Sequence, residues 1–187
     1  MQALLSLNVS TIHSILKQYW GYDQFRPLQE EIIQAVLNGE DTLALLPTGG
    51  GKSICFQVPA MVNEGICIVV SPLIALMKDQ VENLQNKRIK GMALTSGMGK
   101  RELDIALDNA VYGDYKFLYL SPERLLSDLV RERIKKMNVN LLAIDEAHCI
   151  SQWGYDFRPA YLQIAELRAL IPQVPVLALT ATATDSV

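Results

Sequence analysis

Six short apolar runs recur along the chain: TLALL (42–46), ICIVV (66–70), GMAL (91–94), KFLYL (116–120), NLLAI (140–144) and VPVLAL (174–179). A strand that is apolar on both faces must be covered on both faces. Helix-patterned stretches separate the runs, among them PLQEEIIQAVLNG (27–39), PLIALMKDQVENLQ (72–85) and SPERLLSDLVRERIKKM (121–137), and STIHSILKQYW (10–20) precedes them. Strands alternating with helices predict an α/β fold: a mostly parallel central sheet with helices on both faces. No repeat, linker or low-complexity segment divides the chain, so residues 1–187 read as one domain. In such sheets the ligand loops lie at the carboxyl ends of the strands.

Composition narrows the function. Net charge is -3, so attraction to nucleic acid must come from a local groove and not from the whole surface. Cys55, Cys67 and Cys149 are scattered, without a CxxC pair. They read as reduced thiols, not as a zinc site or a disulfide framework, and suit a cytoplasmic protein. The opening MQALLSLNVS lacks a signal peptide's basic flank and long apolar stretch, and no run is long enough to span a membrane.

The loop after the first run reads PTGGGKS (47–53). Strand, glycine-rich loop and helix start occur there in the order of a phosphate-binding P-loop. Thr48, Gly49, Gly50 and Gly51 can turn backbone N–H groups around an anion, and a helix N-terminus adds positive charge. Lys52 would reach the β and γ phosphates of ATP, and the Ser53 hydroxyl would hold Mg2+. The strict P-loop pattern has a glycine where this chain has Leu46. A glycine-rich turn beside a surface lysine is the alternative. The fifth run ends in Asp145, Glu146 and His148. An acid at a neighbouring strand end suits Mg2+, through water, and Asp145 fits. Glu146 fits the group that orients the attacking water. Adjacent carboxylates that merely cap a helix are the alternative.

PTGGGKS with DEAH resembles the ATP-binding lobe of superfamily-two helicases. GYDQFRPLQEEII, VVSPLIALMKDQ, SPERL, DEAHCISQWGYDFRP and LTATAT, in this order from residue 20 to the C-terminus, resemble a RecQ-family DNA helicase. The resemblance implies a RecA-like P-loop fold and ATP-driven 3'-5' translocation on DNA and unwinding, in DNA repair and recombination. It implies that a leading segment, about 10–39, recognises adenine: Tyr22 and Arg26 against the base, Gln29 at its edge. A core aromatic is the alternative for Tyr22. His148 is implied as a coupler between the ATP site and the TAT segment, where Thr180 and Thr182 relay hydrogen bonds; a structural histidine and strand-end threonines are the alternatives.

SQWGYDFRPAY (151–161) crowds aromatic residues around an arginine. Trp153, Tyr155, Phe157 and Tyr161 around Arg158 can form a stacking platform for single-stranded bases, and the resemblance assigns this loop to DNA sensing. Tyr155 stands where the family commonly has histidine, and Ala160 where it often has an acid. Ser71, Thr95, Ser96 and Ser121 follow strand ends and can offer hydroxyls and N–H groups to DNA phosphates; taken singly, each reads more readily as a helix cap. Single-stranded DNA and duplex junctions are thus the expected partners. The resemblance also implies a second lobe, absent from this sequence, that supplies arginines to the ATP phosphates. The isolated chain is therefore expected to bind nucleotide but to be nearly inactive in hydrolysis. The rival readings are a P-loop switch or kinase and a catalytically silent nucleic-acid-binding fragment.

Overall fold

The computed structural model describes residues 10–150 and 158–181. All six apolar runs form strands: β1 (Thr42–Leu45), β2 (Ile66–Val70), β3 (Gly91–Leu94), β4 (Phe117–Leu120), β5 (Val139–Ile144) and β6 (Val176–Thr180). They pair in parallel as one sheet, in the order β1-β6-β5-β2-β4-β3. The chain leaves β1 at one edge and enters β2 in the middle, so β6 and β5 fill the gap. The crevice at that switch in direction is where an open α/β sheet binds its ligand.

Helices cover the sheet: α1 (Gln29–Leu37), α2 (Lys52–Val62), α3 (Ile74–Asn86), α4 (Lys100–Tyr112), α5 (Asp128–Ile134) and α6 (Gln163–Leu170). Alternate residues along each strand divide between two cores. Cys67, Val69, Phe117, Tyr119, Leu141 and Ala143 pack under α1, α2 and α3. Ile68, Val70, Leu118, Leu120, Leu142 and Ile144 pack under α4, α5 and α6. Strands β2 and β4 are buried at every residue, as their unbroken apolar runs predict. Edge strand β1 is different: Leu43 and Leu45 are exposed and only Ala44 is buried.

The helical readings needed refinement. Residues 121–137 do not form one helix. A 3-10 turn, Pro122–Leu126, breaks at Ser127, which is extended at φ -83°, ψ 119°, before α5 starts. The Arg131 side chain donates back to Leu125 O at 2.5 Å and closes that break. Helices α4 and α6 are additional to the stretches singled out from sequence. In α4, Leu103, Leu107 and Ala110 supply the buried stripe between charged residues. The stretch 10–20 is helical, turning to a π-helix over Leu16–Trp20 and ending at left-handed Gly21. Its Ile12 and Leu16 pack on Ile33, Ile54 and Val58, which fixes the leading segment against α1 and α2.

Candidate functional site

The phosphate loop is built by backbone turns that glycine permits. Gly49 and Gly51 lie at φ 77° and 74°, the left-handed region disfavoured for other residues. Gly50 N–H donates to Pro47 O at 2.9 Å, and α2 begins at Lys52 without a side-chain cap. Three carbonyls of the loop are held from outside. Arg26 Nη1 donates to Gly49 O at 2.5 Å, and Gln29 Nε2 donates to Gly50 O and Gly51 O, each at 3.1 Å. In a trans peptide the next N–H points away from the carbonyl. Holding those two carbonyls therefore turns the N–H groups of Gly51 and Lys52 away from Gln29.

Gln29 is buried, and its Oε1 accepts Arg26 N–H at 2.9 Å. Both amide hydrogens are engaged, which leaves one lone pair on Oε1 and no donor. The leading segment therefore shapes the loop directly, a role its sequence did not disclose. An open cleft of about 500 Å³ lies beside it, lined by Trp20, Tyr22, Arg26, Gln29, Ser53 and Gln80 among others. Tyr22 is 55% exposed at that cleft, so it is not a core aromatic.

The acidic pair sits two strands from β1. Asp145 N–H donates to Val70 O at 2.8 Å and extends the ladder beyond β5. Its carboxylate accepts Ser71 Oγ at 3.3 Å and the Glu146 N–H at 3.1 Å. Burial, then the neighbouring Glu146 charge, push the Asp145 carboxyl above its ordinary value, against the pull of Lys52. Glu146 is held at φ 49°, a conformation of the kind that clusters at functional sites. Its carboxylate meets Lys52 Nζ at 3.1 Å through one oxygen and His148 Nδ1 at 3.4 Å through the other. His148 Nδ1 also lies 3.0 Å from Thr180 Oγ1. Strand β6 stands between β1 and β5 in the sheet, so Lys52, Glu146, His148 and Thr180 form one polar chain across three strand ends.

Asp145 provides a stability test. Its folded pKa is raised, so its contribution is fully present below the unfolded value, 3.8, and is lost as pH rises through the folded value. Asp145→Asn does not titrate. The stability of that variant relative to wild type should increase as pH rises from about 4 to 7. Urea unfolding across this range reads it; a pH-independent difference would contradict the burial of a charged carboxylate.

The expected DNA-side residues divide by exposure. Ser71 and Ser121 are buried, with the Ser71 hydroxyl committed to Asp145, whereas Thr95 is half-buried and Ser96 exposed. None of the helices that follow them has a side-chain cap. The Arg124 guanidinium donates to Thr95 O and ties the two loops together. Arg158 Nη1 donates to Pro72 O at 3.1 Å, and its N–H to Cys149 O at 2.9 Å. Trp153, Tyr155, Phe157 and Thr182 lie outside the described residues. Cys55, Cys67 and Cys149 are buried, and burial pushes the Cys55 thiol up to about 12.

Two tyrosines and two glutamines belong to the site's framework. Tyr161, read from the sequence as part of the exposed aromatic platform, is instead fully buried and donates from its hydroxyl to Asp145 O at 2.9 Å. Gln57, Gln80 and Tyr119 form a part-buried polar network reaching Ser53. The sequence signal was faint: single amides within otherwise helical patterns, at CFQVPA and MKDQVE.

A parallel sheet, a phosphate loop before a helix, and an acid pair at a neighbouring strand end define a P-loop nucleotide-binding domain. The chain belongs to the DEAD/DEAH box helicase family, whose sequence model matches residues 26–187. It is 47% identical over 173 residues to the ATP-dependent DNA helicase RecQ of Haemophilus influenzae, a match covering 92% of this chain and 28% of that protein. It is 46% identical over 177 residues to the probable ATP-dependent DNA helicase RecS of Bacillus subtilis, covering 94% and 35%. The chain thus spans about a third of the length of these relatives. Among solved structures, the DUF1998 helicase MrfA bound to DNA and AMPPNP superposes with a TM-score of 0.76 at 19% identity, covering 94% of this chain and 26% of that one. The helicase Lhr of Mycobacterium smegmatis, bound to ssDNA and AMP-PNP, superposes with a TM-score of 0.71 at 21% identity, covering 88% and 24%. At those identities the likeness establishes the fold. No helix among the described residues is long and apolar enough to cross a membrane.

Proposed function

We propose that this domain is the first, ATP-binding lobe of a RecQ-like DNA helicase, coupling ATP hydrolysis to translocation on DNA and unwinding. The observation that carries the reading is the Lys52–Glu146–His148–Thr180 chain beside buried Asp145. Glu146 pairs with Lys52, the lysine that would hold the β and γ phosphates. Phosphate binding competes for the Lys52 ammonium and releases Glu146 toward an attacking water. His148 Nδ1 lies 3.4 Å from the other oxygen of Glu146 and 3.0 Å from Thr180 Oγ1, so a shift of the β6 end would alter the surroundings of Glu146.

Ser53 and Asp145 offer the oxygen donors that Mg2+ prefers. Asp145 is buried beside a second carboxylate, which favours a cation there. Mg2+ would neutralise charge on the β and γ phosphates. Adenine would lie in the cleft beside Tyr22 and Arg26. The remaining lone pair of Gln29 suits a base-edge N–H donor such as the adenine amino group. Thr95 and Ser96, held by Arg124, are the accessible phosphate contacts for single-stranded DNA, and Ser71 and Ser121 act behind them. The loop carrying Trp153, Tyr155, Phe157 and Arg158 senses bases. Arg158 anchors that loop to the β2 end through Pro72, close to Asp145. A second lobe closing on this face completes the γ-phosphate charge. Duplex junctions are the proposed substrate and the bacterial cytosol the proposed location.

Thermal unfolding with Mg-ADP tests the nucleotide reading. Ligand at a hundredfold its dissociation constant should stabilise the native state by about 2.7 kcal/mol. Lys52→Ala should lose most of this shift. An equal shift in the variant would place the nucleotide elsewhere.

A further inference from the structure

Ser53 does not stand alone at the mouth of the cleft. Gln80, in the second turn of α3, donates from Nε2 to Ser53 Oγ at 2.7 Å. The opposite end of the same amide, Oε1, accepts Gln57 Nε2 at 2.9 Å and faces Tyr119 Oη at 3.5 Å. Gln57 Nε2 also lies 3.3 Å from Tyr119 Oη. Gln57 and Tyr119 are buried, at 5% and 1% exposure, so these groups cannot exchange freely with water.

In this arrangement the N–H end of Gln80 meets Ser53. An amide presents a donor at one end and an acceptor at the other. With Gln57 donating to Oε1, the N–H end faces Ser53. The hydroxyl then accepts one hydrogen bond and keeps its second lone pair and its proton. A hydroxyl that a cation must use is thus held in place by a partner on another helix, through an amide that is itself locked by two buried groups. Gln80, Asn83, Leu84 and Lys87 share one stripe of α3 and line the cleft, so the helix forms a wall of the nucleotide site.

We propose that Gln80 is a positioning residue for Mg2+ at the nucleotide site, acting through the Ser53 hydroxyl. The proposal rests on the nucleotide reading above. Partners that orient metal ligands typically contribute 10- to 100-fold in metal affinity when removed, by analogy with other metal centres. Its effect should therefore depend on Mg2+, whereas a residue that merely supports the fold would weaken nucleotide binding with or without the ion.

The test uses this chain and a fluorescent ADP analogue, titrated in excess EDTA and over a series of Mg2+ concentrations. Two variants are compared: Gln80→Ala, and Gln80→Met, which retains much of the volume without the hydrogen bonds. Each should raise the Mg2+ concentration for half-maximal tightening about 10-fold, a larger loss than any change in nucleotide affinity measured in EDTA. In a Ser53→Ala background the same substitutions should add nothing, because the coupling runs through Oγ. Equal losses with and without Mg2+, an unchanged Mg2+ requirement, or a full additional loss in the Ser53→Ala background would each overturn the proposal. Tighter Mg2+ response in the variants would also overturn it, showing that Gln80 withholds Ser53 from the ion. If the wild-type chain binds no nucleotide at all, the nucleotide reading falls and the inference falls with it; if wild type binds and only the Gln80 outcomes fail, the reading survives.

Discussion

Glu146→Gln should separate binding from chemistry. In the proposed two-lobed helicase, DNA-stimulated ATP hydrolysis is expected to fall about 10² to 10⁴-fold, the range typical of a positioned general base. That corresponds to roughly 2.7–5.5 kcal/mol of transition-state stabilisation. Nucleotide affinity should not fall with it. The Glu146 carboxylate lies 3.1 Å from Lys52 Nζ. A neutral amide leaves the ammonium less tightly paired and more available to phosphate. Affinity should therefore be equal or higher than in wild type. Direct nucleotide titration beside single-turnover hydrolysis checks both halves. A parallel loss of binding and turnover would mean that Glu146 supports the loop and does not act on the attacking water.

The second large effect lies far from the chemistry. Gly65 precedes β2 at φ 100°, and a Cβ there would stand 2.1 Å from Asn138 O. That oxygen accepts the Ile66 N–H at 2.9 Å, so it belongs to the pairing of β2 with the segment entering β5. The obstacle is backbone, not a flexible side-chain tip, and it cannot swing aside. Gly65→Ala combines a disfavoured backbone conformation, about 1–2 kcal/mol, with overpacking of about 1–3 kcal/mol. Denaturant unfolding should show a loss of about 2–5 kcal/mol. Nucleotide affinity of the remaining folded protein should be unchanged, since the phosphate loop follows β1 and not β2. A loss below about 0.5 kcal/mol would show that the strand entry moves freely enough to admit a methyl group.

The contrast between Gly65 and Gly51 shows how sequence and structure divide the information. Both glycines have positive φ. Gly51 was legible because it stands in a motif whose chemistry requires bare backbone next to an anion. Gly65 carries no such local context; its neighbour Asn138 is distant in sequence, and only strand pairing brings the two together. The same distinction runs through the site. Lys52, Ser53, Asp145, Glu146 and His148 stood out because each follows a strand end in a recognisable order of residues. Gln57, Gln80 and Tyr119 did not, because an amide in a helix or a tyrosine in an apolar run has no local sign of its partner.

The sequence by itself determined the alternation of strands and helices, the phosphate loop and the acid pair, because apolar periodicity and loop chemistry are local properties. It also predicted that β2 and β4 are buried throughout. Tertiary structure alone decided that β6 stands between β1 and β5, which brings Thr180 within 3.0 Å of His148 Nδ1. It alone decided that Gln29 is consumed by the glycine carbonyls, that Tyr22 is exposed at the cleft, and that the Ser71 hydroxyl serves Asp145. The physical reason is that strand order and side-chain pairing depend on which distant segments bury surface together, and hydrogen-bond partners are then fixed by whichever donors and acceptors that burial leaves within reach.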